Sequence, residues 1–76
     1  MQEYKISLEE FEAIKYQIWD FLEKEKNNDD LFVTRLRKIF IKYQFALKNN
    51  DKYIELDSNG TEYHTYLEFK QINNLK

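Results

Sequence analysis

The chain contains no cysteine, a single glycine and a single histidine in 76 residues. Without cysteine, neither disulfides nor thiolate metal ligands help it fold. One glycine rules out the glycine-rich loops that cradle phosphates. His64 is the only side chain with an ordinary pKa near neutrality, and no second imidazole or thiolate exists to share a metal with it. Apolar residues nowhere run for the roughly 18 positions of a membrane span, and the charged start MQEYKISLEE does not resemble a signal peptide. These absences set the expectation of a soluble, cytoplasmic, non-enzymatic protein that needs no cofactor or metal and has no membrane partner. Opening on Met1 with no tag, it reads as a complete small protein, a size class in which regulators and inhibitors outnumber enzymes.

What is present is a large apolar and aromatic fraction: 42% hydrophobic residues, with six Phe, six Tyr and one Trp. Aromatic side chains bury much area each, which suits a short chain stabilised by packing alone. Residues 1–76 are expected to form one compact domain. Charge is uneven although the total is −2: residues 1–30 sum to −5, residues 31–50 to +5 and residues 51–76 to −2. Such asymmetry marks either a binding surface or two helices attracting each other along their edges.

Ser7 followed by Glu10 is a capping box, and Leu8, Phe11, Ile14, Ile18, Phe21 and Leu22 recur at helical spacing behind it. Trp19 lies at the edge of that stripe. The polar run EKEKNNDD ends the helix, and Asp29 or Asp30 can cap a second. Its stripe reads Phe32, Leu36, Ile39, Phe40, Tyr43, Ala46 and Leu47, closing at Asn49-Asn50. The short loop predicts an antiparallel pair. Asn59-Gly60 then signals a β-hairpin, pairing Leu56 with Tyr63, Glu55 with His64 and Ile54 with Thr65. Asp57 opposite Glu62 is its one conflict. Thr65 with Glu68 is a second capping box, predicting a short helix from about Tyr66 to Asn73. A rival pattern runs one helix through 61–75, since Tyr63, Tyr66, Phe69 and Ile72 are three apart. The predicted class is therefore α+β, in the order α-α-β-β-α. A two-stranded ribbon is marginal alone and must pack on the helices or pair with another chain's strand.

Catalytic and metal chemistry are weakly represented. Glu55, Asp57, Asn59 and Gly60 match the first, third, fifth and sixth positions of a calcium loop, but the twelfth, which needs a bidentate Glu, is Tyr66. Two surfaces stand out instead. Glu9, Glu12, Tyr16, Asp20 and Glu23 form an acidic line on the first helix with one aromatic in it. That pattern is ordinary for a solvated face, yet it also suits docking on a basic protein groove. On the second helix Ile41 and Phe45 fall opposite the main stripe, among Arg37, Lys38 and Lys42. Three readings compete: cover by the hairpin and last helix, a homodimer contact, or an anchor for a partner with the bases as rim. The first is preferred, because the ribbon needs something to pack on.

The resulting expectation is a small protein-binding regulator or inhibitor that occludes a site on a larger, unidentified protein. Lys-, Asn- and Ile-rich usage suits a low-GC bacterium or its phage, so the target can be a host nucleic-acid-handling protein, in the manner of anti-CRISPR proteins. The alternatives are a nucleic-acid-binding regulator using the basic second helix and a structural homo-oligomer. Negative overall charge and bases spread around the helix count against nucleic acid.

Overall fold

A computed structural model describes residues 3–75. Its elements run β1 (Lys5–Ser7), α1 (Leu8–Lys24), α2 (Leu31–Lys48), β2 (Tyr53–Glu55) and α3 (Thr61–Ile72). The class is α+β, with three helices and one two-stranded antiparallel sheet. Ring contacts of Phe21 with Phe32 and of Phe11 with Phe40 and Tyr43 run in opposite senses along the two long helices, so α1 and α2 are antiparallel. No helix among the described residues is long and apolar enough to cross a membrane.

Ser7 caps α1 as its sequence predicts, its hydroxyl accepting from the Glu10 amide at 3.1 Å. The reciprocal half of the box is missing, because the Glu10 carboxylate is engaged elsewhere, by Tyr66 and Lys70. Asp30 occupies the N-cap position of α2 without a side-chain cap bond. Helices α2 and α3 close alike. Asn50 and Asn74 take left-handed φ values of 58° and 55°, and the Asp51 and Leu75 amides reach back to the Ala46 and Lys70 carbonyls. Asparagine thus supplies the conformation usually left to glycine.

The predicted hairpin does not form. Residues 61–65 are helical, and the partner of β2 is β1, with Ile6 opposite Ile54, Lys5 opposite Glu55 and Ser7 opposite Tyr53. The physical reason lies in the segment after Asp57. The Asp57 carboxylate accepts from the Glu62 amide at 3.1 Å while the Glu62 carboxylate accepts from the Asp57 amide at 3.0 Å. The Asn59 side chain accepts from the Thr61 amide at 3.0 Å. Gly60, at φ +80°, turns the chain directly into α3. Asn-Gly is therefore a helix entry here, and the apparent Asp57–Glu62 conflict is a reciprocal cap of the kind that satisfies orphan helix amides. Thr65 is not a cap: its hydroxyl donates to the Thr61 carbonyl inside the helix. The three-residue spacing of Tyr63, Tyr66 and Phe69 is the pattern that prevails.

The core joins Ile6, Phe11, Ile14 and Ile18 to Leu36, Ile39, Tyr43, Ile54, Tyr66 and Phe69. Phe11 sits at its centre, 4.6 Å from the Tyr43 ring and 6.3 Å from the Tyr66 ring. Along α2 the buried stripe includes Val33 and excludes Leu47, which is 49% exposed. Ala46 in the same last turn is buried, so it is the direction in which Leu47 points around the helix that leaves it in water.

Candidate partner-binding surfaces

The acidic line of α1 is intact and exposed: Glu9, Glu12, Tyr16, Asp20 and Glu23 all face solvent. Glu12 accepts from the Tyr43 hydroxyl at 3.2 Å, and Asp20 pairs with Lys24 at 3.2 Å one turn on. An exposed pair of that kind contributes little to stability. Two aromatic side chains here are left unburied by the fold, Tyr16 within the line at 73% exposure and Trp19 beside it at 50%. They line two adjoining depressions. One, of about 300 Å³, is completed by Lys15 and Phe40 at the α1–α2 seam. The other, of about 390 Å³, is completed by Gln17 and Asp20. Lys15 lies over the Tyr16 ring, 5.3 Å from its centroid. A hydrogen bond with Tyr43 holds the Lys15 ammonium above the ordinary lysine pKa. Trp19 is the residue that sequence reasoning undervalued. Its place at the edge of the apolar stripe was the available signal, and half of the indole is left in water.

The second helix divides its basic residues between structure and surface. Arg37 donates to the Glu25 carbonyl at 3.3 Å, closing the end of α1. Lys42 pairs with the Glu62 carboxylate, which is 5% exposed and also holds the Asp57 amide. Lys38 is exposed. Two of the bases that a phosphate backbone would need are thus committed to the fold.

Ile41 and Phe45 are not covered by β2 or α3. They are 46% and 62% exposed, which corrects the expectation that α2 is buried on two sides. The reason is the changed topology: the hairpin expected to cover them does not form, and β2 and α3 pack on α2 without burying either side chain. Phe45 borders a cleft of about 410 Å³ between α2 and β2, together with Ala46, Asn49, Tyr53 and Glu55.

His64 is exposed on the first turns of α3, with its ring 6.3 Å from those of Tyr4 and Tyr63. Glu55 lies opposite Lys5 instead of His64. Among the described residues no group of three or more His, Cys, Asp or Glu side chains is placed to hold a metal ion. Compared with family models, curated proteins and solved structures, the chain finds no match.

Proposed function

We propose that this chain is a small non-enzymatic binding protein, working in the cytoplasm, that regulates or inhibits a larger protein by occupying one of its sites. The observation that carries this reading is the exposed Tyr16–Trp19 pair on α1, bordered by Glu12, Asp20 and Glu23. Exposed aromatics are costly to leave in water on so small a protein and are the residue types that anchor interfaces. The carboxylates around them supply long-range attraction to a basic surface and help set the orientation of docking. A groove that binds nucleic acid presents such a surface, so the favoured target class is a nucleic-acid-handling protein. An origin in a phage or mobile element fits that target class.

Affinity capture with the wild-type protein, Trp19→Ala, and a triple charge reversal at Glu12, Asp20 and Glu23 tests the reading. A target retained by wild type and lost by both variants, at unchanged thermal stability, is the expected result. Salt-sensitive binding of labelled duplex DNA or RNA that survives the triple reversal and disappears on Lys38→Glu would overturn it in favour of a nucleic-acid-binding regulator.

A further inference from the structure

Strand β2 has one paired edge and one open edge. The Leu8 amide donates to the Lys52 carbonyl at 3.0 Å and the Leu56 amide to the Tyr4 carbonyl at 2.9 Å. Those bonds fix the phase of the ladder: backbone groups of Lys52, Ile54 and Leu56 face β1, and those of Tyr53 and Glu55 face away from it. Tyr53 and Glu55 backbone groups make no hydrogen bond to any other described residue. Tyr53 is 52% exposed, and the edge borders the 410 Å³ cleft whose far wall is Phe45 and Asn49 of α2. The rest of the lining is mixed, with Ala46 and Tyr53 beside the charged Lys5, Lys42, Asp51, Lys52 and Glu55, and an open strand edge of this kind is a template for another strand.

We propose that the occupant is a second copy of this chain, in a two-fold dimer that joins the open edges of β2 antiparallel with Ile54 on the axis. In that register Tyr53 of one copy faces Glu55 of the other, and the pair exchanges both backbone hydrogen bonds, twice per dimer. The four strands then form one sheet in the order β1-β2-β2-β1. On its outer face each row reads Ser7, Tyr53, Glu55 and Lys5, the last two from the second copy, so every neighbour is neutral or of opposite charge. On its inner face the row is Ile6, Ile54, Ile54 and Ile6, uniformly apolar. The same two-fold axis brings the α2 helices side by side along the faces that carry Phe45 and Ile41. Lys42 beside them is already neutralised by Glu62. Each structural oddity of the monomer, the open edge and the uncovered Ile41 and Phe45, is resolved by this one arrangement. The dimer leaves both Tyr16–Trp19 faces outward, so it presents two copies of the target-binding surface and gains from bivalence wherever a target is itself repeated.

The test is the molecular mass of the full chain across a concentration series, read by analytical ultracentrifugation, with amide exchange at Tyr53 and Glu55. Expected is a mass twice the 9.5 kDa monomer at high concentration, with both amides slowed as the dimer forms. Tyr53→Glu sets two carboxylates against each other and should weaken the dimer about tenfold, whereas Tyr53→Lys creates a pair with Glu55 and should not weaken it. Phe45→Asp should give a folded monomer by circular dichroism. A chain that stays monomeric to millimolar concentration overturns the proposal. So does a dimer that ignores the sign of charge at position 53 and leaves both amides exchanging freely. Protection that appears only on adding a different protein would assign the edge to that protein and also overturn it.

Discussion

The Tyr66 hydroxyl donates to the Glu10 carboxylate at 2.6 Å, tying the last helix to the first across the core. Tyr66 is fully buried, and Lys70 reaches the same carboxylate at 3.4 Å. Burial first, and the hydrogen bond to Glu10 second, raise the Tyr66 pKa well above the ordinary 10.0. In the unfolded chain the phenol loses its proton near its ordinary pKa, while in the folded chain it keeps it. Stability from this group is therefore complete below pH 10 and declines as pH climbs through and beyond that value. Equilibrium unfolding from about pH 8 to about pH 12 should show a decline that is reduced in Tyr66→Phe. That variant should cost about 1 kcal/mol at neutral pH through the lost bond. An identical alkaline slope in both proteins would exclude Tyr66 as the cause.

Glu62 is expected to be the most sensitive polar residue. It is nearly buried and accepts from both Lys42 and the Asp57 amide. Glu62→Ala strips both donors of their acceptor and should destabilise by about 2–3 kcal/mol. Lys48→Ala, at an exposed base in the last turn of α2, should change stability by under about 0.5 kcal/mol. Urea midpoints for the two variants measure the difference.

Gly60 is held at φ +80°, and a Cβ placed there would lie 2.7 Å from Cζ of the Tyr4 ring. Gly60→Ala should therefore cost more than the roughly 1–2 kcal/mol of left-handed strain alone. In a Tyr4→Ala background the steric part disappears and only the backbone part remains. A double-mutant cycle reads that coupling directly. Strict additivity would show that the Tyr4 ring moves aside freely.

Val33 and Leu47 report the rotation of α2. Val33 is 2% exposed while Leu47 is largely in water. Val33→Ala should cost about 2 kcal/mol and Leu47→Ala under about 1 kcal/mol, from the area each removes from the core. The reverse ranking by thermal denaturation would place the helix in the register read from sequence periodicity.

Trp19 is the only tryptophan and a direct probe of the α1 face. Trp19→Ala should leave stability within about 0.5 kcal/mol, because half the ring is already solvated. In the wild type its emission should shift to shorter wavelength on binding a target and stay fixed when Glu12, Asp20 and Glu23 are reversed. An indole that shifts equally with the reversed protein would separate binding from the acidic rim.

The two long helices were legible from residue spacing because each has one apolar face and a clear polar break at residues 25–30. The class α+β was legible too, from the change of period after Asn50. The strand pairing was not. Local signals are strongest for neighbours in sequence, and Asn59-Gly60 between apolar runs reads the same before a strand as before a helix. The decisive feature was the Asp57–Glu62 exchange, which looks like a charge conflict until the backbone amides are counted. Residues 5–7 carry only one apolar side chain in three, too short a pattern to announce a strand, and their role is set by Ile54 from the other half of the chain. At the surface, the acidic line was readable as a line, but the exposure of Ile41 and Phe45 depended on where the ribbon lies. Topology, and not periodicity, decides that.

The pairing of Lys5 with Glu55 also has a consequence in time. Strand β1 is made before β2, and its partner is not made until both long helices exist. Closing so large a loop is slow compared with joining adjacent helices. The ribbon is thus a late clasp on a helical pair formed from nearer contacts. Since Tyr4 lies against Gly60 at the entrance to α3, fastening the clasp and seating the final helix become one event. Loss of the first seven residues should therefore be felt most at the opposite terminus, in a third helix that has lost its stop.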